Sequence, residues 1–138
     1  MILPMRQTGI SRKGKNMTTK EFYDSIGEDY GEVLNRLGAD GTVRYFALKF
    51  LRDPSFDDLK QAVDGGDGNA AFRAVHTLKG VCLNLGFFKL GSAAGNLTEY
   101  LRGGKQLDDG SRKMYDAVEK EYRVLTEALK KLAASNAQ

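Results

Sequence analysis

His76 is the only histidine in this chain of 138 residues, and it lies inside an otherwise apolar run, AVHTLKGVCLNLGFF, spanning residues 74–88. Lys79 follows three positions later and Gly80 four positions later. At helical spacing, both stand one turn from the imidazole. An imidazole that is neutral at cytoplasmic pH is a nucleophile, and a phosphoryl group on one of its nitrogens can be handed onward. A lysine one turn away supplies positive charge for phosphoryl oxygens without having to lose its proton. A glycine one turn away leaves room for the group and for whatever delivers it. Singly, a histidine or a lysine at such a position is an ordinary surface residue. In combination, the three suit phosphoryl transfer.

Gly80 is informative because a glycine inside a helix costs about 0.5–1 kcal/mol relative to alanine. Two causes would justify it: a tight crossing with another helix, or close approach by a ligand or partner. Other chemistries lack their parts. One histidine with no carboxylate three or four residues away makes no metal site. Cys82 is the single cysteine and falls at a core-periodic position, so it is neither a disulfide partner nor a credible nucleophile. No GxxxxGK[ST] run is present, so a phosphoryl group has to come from another protein rather than from a bound nucleotide.

The surrounding pattern is helical throughout. Ala71, Val75, Leu78, Cys82 and Leu85 step by 4, 3, 4, 3, the seam of a helix packed in a bundle, with Gly86 as its C-terminal stop. His76, Lys79 and Gly80 lie off that seam. Leu90, Ala94, Leu97 and Leu101 repeat the spacing ahead of Gly103-Gly104, and the longest helix carries Tyr115, Val118, Tyr122, Leu125, Leu129 and Leu132. Upstream, GGDGN at 65–69 is a break in which Asp67 or Asn69 caps the helix that follows. Asp53-Pro54 ends an earlier helix with Val43, Phe46, Ala47, Phe50 and Leu51 on its inner face. Ser55 is placed to cap the next one, whose inner face holds Phe56, Leu59 and Val63. Thr18-x-x-Glu21 has the form of a capping box, with Met17 before it as an alternative start of a free-standing chain. No two-residue alternation bounded by hairpin turns occurs, so the fold class expected is all-α, an up-and-down helical bundle with a short N-terminal helical cap.

Charge and hydropathy narrow the setting. Residues 1–17 hold four basic side chains (Arg6, Arg12, Lys13 and Lys15) and no acidic ones, and read as a disordered basic extension ahead of a helical domain over 18–138. Without that tail, 17 basic side chains face 18 acidic ones, a balance that argues against a nucleic-acid partner. No apolar run has the length of a membrane span or of a signal segment, so a cytoplasmic location is expected.

His76-Thr77-Leu78-Lys79-Gly80 followed by Leu85-Gly86 resembles the H-x-[LF]-K-G-x(4)-[LI]-G signature of histidine-containing phosphotransfer (HPt) domains. The likeness extends loosely over residues 18–134. It implies a four-helix antiparallel bundle in which His76 is the phosphoacceptor, Lys79 stabilises the phosphoryl group and Gly80 provides clearance for docking. It also implies a relay role between receiver-domain aspartates in a multistep two-component phosphorelay, with no ATP site and no cofactor of its own. Magnesium would sit in the receiver's site. The partners implied are response-regulator receiver domains and a hybrid sensor histidine kinase, met by a monomer. Val81 departs from the small residue often found after the glycine.

Phe72 and Leu83 share the strip of His76, with Arg73, Lys79 and Lys89 at its edge and Asn84 near its end. An apolar strip around a reactive group suits a modest, transient interface. Phe72 has a second possible place, packed beneath the N-terminal helices. A different reading of the whole chain is a helical protein–protein interaction module that is never phosphorylated. A helix-turn-helix DNA binder is a poorer one, given the balanced body.

Overall fold

The computed structural model describes residues 16–136. Every regular element among them is helical, with no strand. The basic extension expected over residues 1–17 lies outside the described residues up to position 15. The chain divides into two compact units, one formed by residues up to Leu51 together with those from Thr126 onward, the other by Arg52–Leu125.

In the first unit, α1 (Thr19–Ser25), α2 (Tyr30–Leu37) and α3 (Asp40–Lys49) pack against one another. The capping box forms as its spacing predicts. Thr18 Oγ1 accepts the Glu21 N–H at 3.0 Å, and the Glu21 carboxylate accepts the Thr18 N–H at 2.9 Å. Asp29 caps α2, and Gly38, at φ 92°, ends it in the left-handed conformation that glycine adopts without strain. Phe22 and Tyr23 are fully buried and meet edge to face at 5.0 Å. Burial raises the Tyr23 hydroxyl pKa above that of an ordinary tyrosine. Phe46 does not face inward as the spacing predicts. The buried residues of this stretch are Val43, Ala47 and Phe50, which leaves Phe46, 41% exposed, one position off the seam beside Tyr45. A 3-10 turn, Phe50–Arg52, extends α3.

The second unit contains α4 (Ser55–Asp64), α5 (Gly68–Leu85), α6 (Phe88–Leu101) and the part of α7 (Asp109–Asn136) that runs to Leu125. α5 packs against both α4 and α6. Ser55 is not a cap: it is the first residue of α4, and its N–H is accepted by the Asp53 carboxylate at 2.9 Å, across the proline. Asp67 caps α5 by accepting the Ala70 N–H at 3.0 Å. At the other end, Gly86 turns left-handed at φ 75°, and the Phe87 N–H returns to the Cys82 carbonyl at 2.9 Å. The chain passes from α5 to α6 in two residues, so α6 turns straight back along α5.

The α5 seam is buried at all five positions, as are Leu90, Ala94, Leu97 and Leu101 of α6. Phe56 from α4 stacks on Tyr122 of α7 at 4.0 Å and on Tyr115 at 6.1 Å. Burying an aliphatic or aromatic side chain stabilises by about 1.5–3 kcal/mol, so these faces dominate the unit's stability.

Candidate functional site

The face of α5 that turns away from its buried seam carries the residues that could do chemistry. His76 and Gly80 are exposed and Lys79 is half-buried between them. A Cβ added at Gly80 would meet no described atom within 4 Å, so no neighbouring helix closes on it. The tight crossing considered for this glycine is at Gly91 instead. There an added Cβ would stand 2.9 Å from Leu83 Cδ2 and 3.4 Å from Cys82 Cβ. Gly91 is buried, and α5 and α6 approach closely at that point.

Phe72 is half-buried rather than fully exposed, and its ring stacks on the His76 ring at 5.8 Å with 21° between the planes. Of the two places considered for Phe72, this one is beside the imidazole, four residues along the same helix. Arg73 and Asn84 are exposed, Lys89 lies exposed near the start of α6, and Leu83 is 37% exposed. The strip from Phe72 to Leu83 thus runs along one side of α5.

Two residues of α6, Gly95 and Glu99, and its C-cap residue Arg102 join this strip, and all three escape the periodicity argument. Gly95 lies against the aliphatic stem of Lys79. A Cβ built there would be 3.7 Å from Lys79 Cδ and 3.9 Å from Cε. Glu99 receives a hydrogen bond from the Arg102 guanidinium at 2.8 Å. That guanidinium lies over the Phe72 ring, 5.5 Å from its centroid. The Arg102 hydrogen bond holds the Glu99 carboxyl below the ordinary glutamate range. The positive charges of Arg102 and then Lys79 act in the same direction. Glu99 therefore feels the same patch of space that His76 and Lys79 occupy.

The geometry has a simple order. Read backwards, α5 presents Leu83, Lys79, His76 and Phe72; read forwards, α6 presents Gly91, Gly95, Glu99 and Arg102. These rows face each other, as antiparallel neighbours must. Glycines face the bulky or long side chains at one end, and a charged pair faces the two rings at the other. The signal for the second row was present in the sequence as steps of 4, 4 and 3. Gly91, Gly95 and Arg102 lie one position off the Leu90-Ala94-Leu97-Leu101 seam and Glu99 two positions off it, as His76 lies off its own.

The loop after α6 is pinned separately. The Tyr100 hydroxyl donates to the Asp108 carboxylate, 2.7 and 2.8 Å from its two oxygens. Asp108 and Ser111 bond reciprocally at the start of α7, at 2.9 and 2.8 Å. The Ser111 backbone N–H, then the Tyr100 hydroxyl, lower the Asp108 pKa from that of an ordinary aspartate. No helix among the described residues is long and apolar enough to cross a membrane.

Searches of curated proteins and of solved structures give no match. A family model, that of the Hpt domain, does match, over residues 53–135. Its span takes in α4, α5 and α6 with the whole His76 strip, and most of α7. Proteins of this family are intermediates of histidine phosphotransfer in two-component signalling, and their partners are receiver domains and histidine kinases. The match covers more than half of the chain, which belongs to the Hpt domain family.

Proposed function

We propose that the chain is a phosphorelay intermediate in which His76 accepts a phosphoryl group from one receiver-domain aspartate and gives it to another. The observation that carries this reading is the placement of His76 within the Hpt match: it is exposed, beside Lys79, with open space at Gly80. On this reading α4, α5, α6 and the first part of α7 form an up-and-down four-helix bundle whose second helix presents the acceptor. The two-residue α5–α6 connection supports that arrangement.

The transfer step needs little from this chain beyond position and charge. The lone pair of one imidazole nitrogen attacks phosphorus in the partner's aspartyl phosphate. The N–P bond forms as the P–O bond breaks, and that electron pair stays on the partner's carboxylate. The reverse reaction on a second receiver regenerates His76. Lys79, steadied along its stem by Gly95, directs its ammonium toward the phosphoryl oxygens, whose charge is spread over three positions during transfer. Magnesium, where the step uses it, belongs to the receiver's own site. Phe72, Arg73, Leu83 and Asn84 lie along the surface that a receiver would cover, and the Gly80 vacancy lets it approach. On this reading the chain is a relay component without an ATP site of its own.

Incubation with a phosphate-loaded receiver domain tests the reading. Label should pass to the wild-type chain, in an acid-labile and base-stable bond, and should not pass to His76→Gln. Equal labelling of both would overturn it. Receiver binding with no labelling of either would leave an interaction module in its place.

A further inference from the structure

Glu99 and Arg102 have no part in the function proposed above, yet both belong to the row that faces His76. Their ion pair is exposed, with side chains 61% and 53% accessible respectively. An exposed pair of this kind contributes little to stability, so exchanging its partner is cheap. Arg102 is the C-cap residue of α6, with extended backbone at φ −61° and ψ 139°, so its side chain leaves the helix end free of helical packing. Gly103 and Gly104 follow it at φ 87° and 81°, and the Tyr100–Asp108 hydrogen bonds secure the loop beyond.

The guanidinium over Phe72 and the imidazole stacked on Phe72 share one ring as neighbour. Arg102 therefore stands no farther from His76 than those two spacings laid end to end. A phosphoryl group on the imidazole would shorten that gap, and the exposed arginine side chain has several torsions with which to approach it.

We propose that Arg102 is a second phosphoryl-binding residue, held on Glu99 while His76 is unmodified and passed to the phosphoryl group once His76 carries one. This rests on His76 being the acceptor. A phosphoryl group brings close to two negative charges and three strong acceptor oxygens, and a guanidinium binds such a group with two parallel hydrogen bonds. Glu99 carries a single charge and faces the same space, so phosphorylation sets two anions against each other with Arg102 between them. The larger charge takes the arginine. The Phe72 ring supports the guanidinium over its face while the acceptor changes. Glu99 thus keeps the cation close to the site without leaving it bound there, and phosphorylation of His76 switches its partner.

The test uses the full chain and a receiver domain that labels the wild type. At exchange equilibrium, Arg102→Ala should lower the ratio of phosphohistidine to aspartyl phosphate by about three- to tenfold, and Arg102→Lys should restore part of it. Glu99→Gln should raise the ratio, because the competing carboxylate is gone. In nitrogen-15 NMR spectra the Arg102 Nε–H signal should move when the wild type is phosphorylated. It should already be displaced in unphosphorylated Glu99→Gln. A normally labelled wild type with an unmoved Arg102 signal, and an Arg102→Ala ratio equal to its own, would overturn the proposal. Failure of the wild type to label at all would instead strike the reading on which it rests.

Discussion

Lys79 and Gly80 stand on either side of one question, whether a residue at this site serves the fold or the reaction. Among the described residues the Lys79 head group has no ion-pair partner within salt-bridge distance that would tie it to stability, and its stem lies on Gly95. Lys79→Ala should therefore leave the thermal unfolding midpoint nearly unchanged. It should slow phosphoryl transfer by about tenfold or more, the effect of losing roughly 1.4 kcal/mol of transition-state stabilisation. Stopped-flow transfer from a labelled receiver would check this, and unchanged kinetics would make Lys79 a solubilising charge only. For Gly80 the structure decides a sign. An added Cβ meets no described atom, so Gly80→Ala should stabilise the helix, by up to about 1 kcal/mol in a urea titration. Gly80→Leu should also fold, yet lose transfer because the partner can no longer approach. Unfolding of the leucine variant would show that the space is needed within the chain.

At the scale of the element, α5 was legible and its neighbour only half so. Steps of 4, 3, 4, 3 through Ala71, Val75, Leu78, Cys82 and Leu85 single out one face, and every one of those residues is buried. The outward residues follow by subtraction. For α6 the same logic finds the core row but is silent about the row beside it. Which flank of α6 meets the His76 strip depends on how two helices pair, and one helix's pattern does not contain that. Gly95 illustrates the gap: in sequence it is a helix-weakening glycine, in the fold it is the seat of the Lys79 stem. Gly95→Ala should be tolerated, since its Cβ would make ordinary contacts of 3.7 and 3.9 Å. Gly95→Leu should displace the lysine and slow transfer as Lys79→Ala does, with helicity by circular dichroism retained. Fast transfer in Gly95→Leu would separate the seat from the function. Local chemistry also misled at Ser55, where the cap residue is set by Asp53 and by the backbone of the intervening proline rather than by the serine. At Phe46, the helical spacing from Val43 predicts burial that the seam does not give.

Across the molecule, helical content was legible because amphipathic spacing recurs from Phe22 to Leu132, whereas the division into two units was not. That division depends on contacts between residues far apart in sequence, such as the Met17 N–H donating to Ser135 Oγ at 2.6 Å. Stability should carry a pH signature from the aromatic stack of the Arg52–Leu125 unit. Burial, with nearby Glu119 and Asp64 adding to it, pushes the Tyr115 hydroxyl up to about 12. An unfolded tyrosine ionises near 10, so between about pH 10 and 12 the unfolded chain loses a proton that the folded chain keeps. This contribution is fully present below pH 10 and is lost as pH rises, so urea midpoints should fall through that window. Tyr115→Phe should show a shallower fall, and an identical slope would assign the alkaline loss to other groups.

The measurement that bears most directly on the central claim is phosphorus NMR of the chain after exchange with a phosphorylated receiver domain. A single phosphoramidate resonance should appear in the wild type, vanish in His76→Gln, and decay when a second, unloaded receiver is added. A resonance of equal size in His76→Gln, or a wild-type signal that no receiver can discharge, would contradict the assignment of His76 as the relay residue.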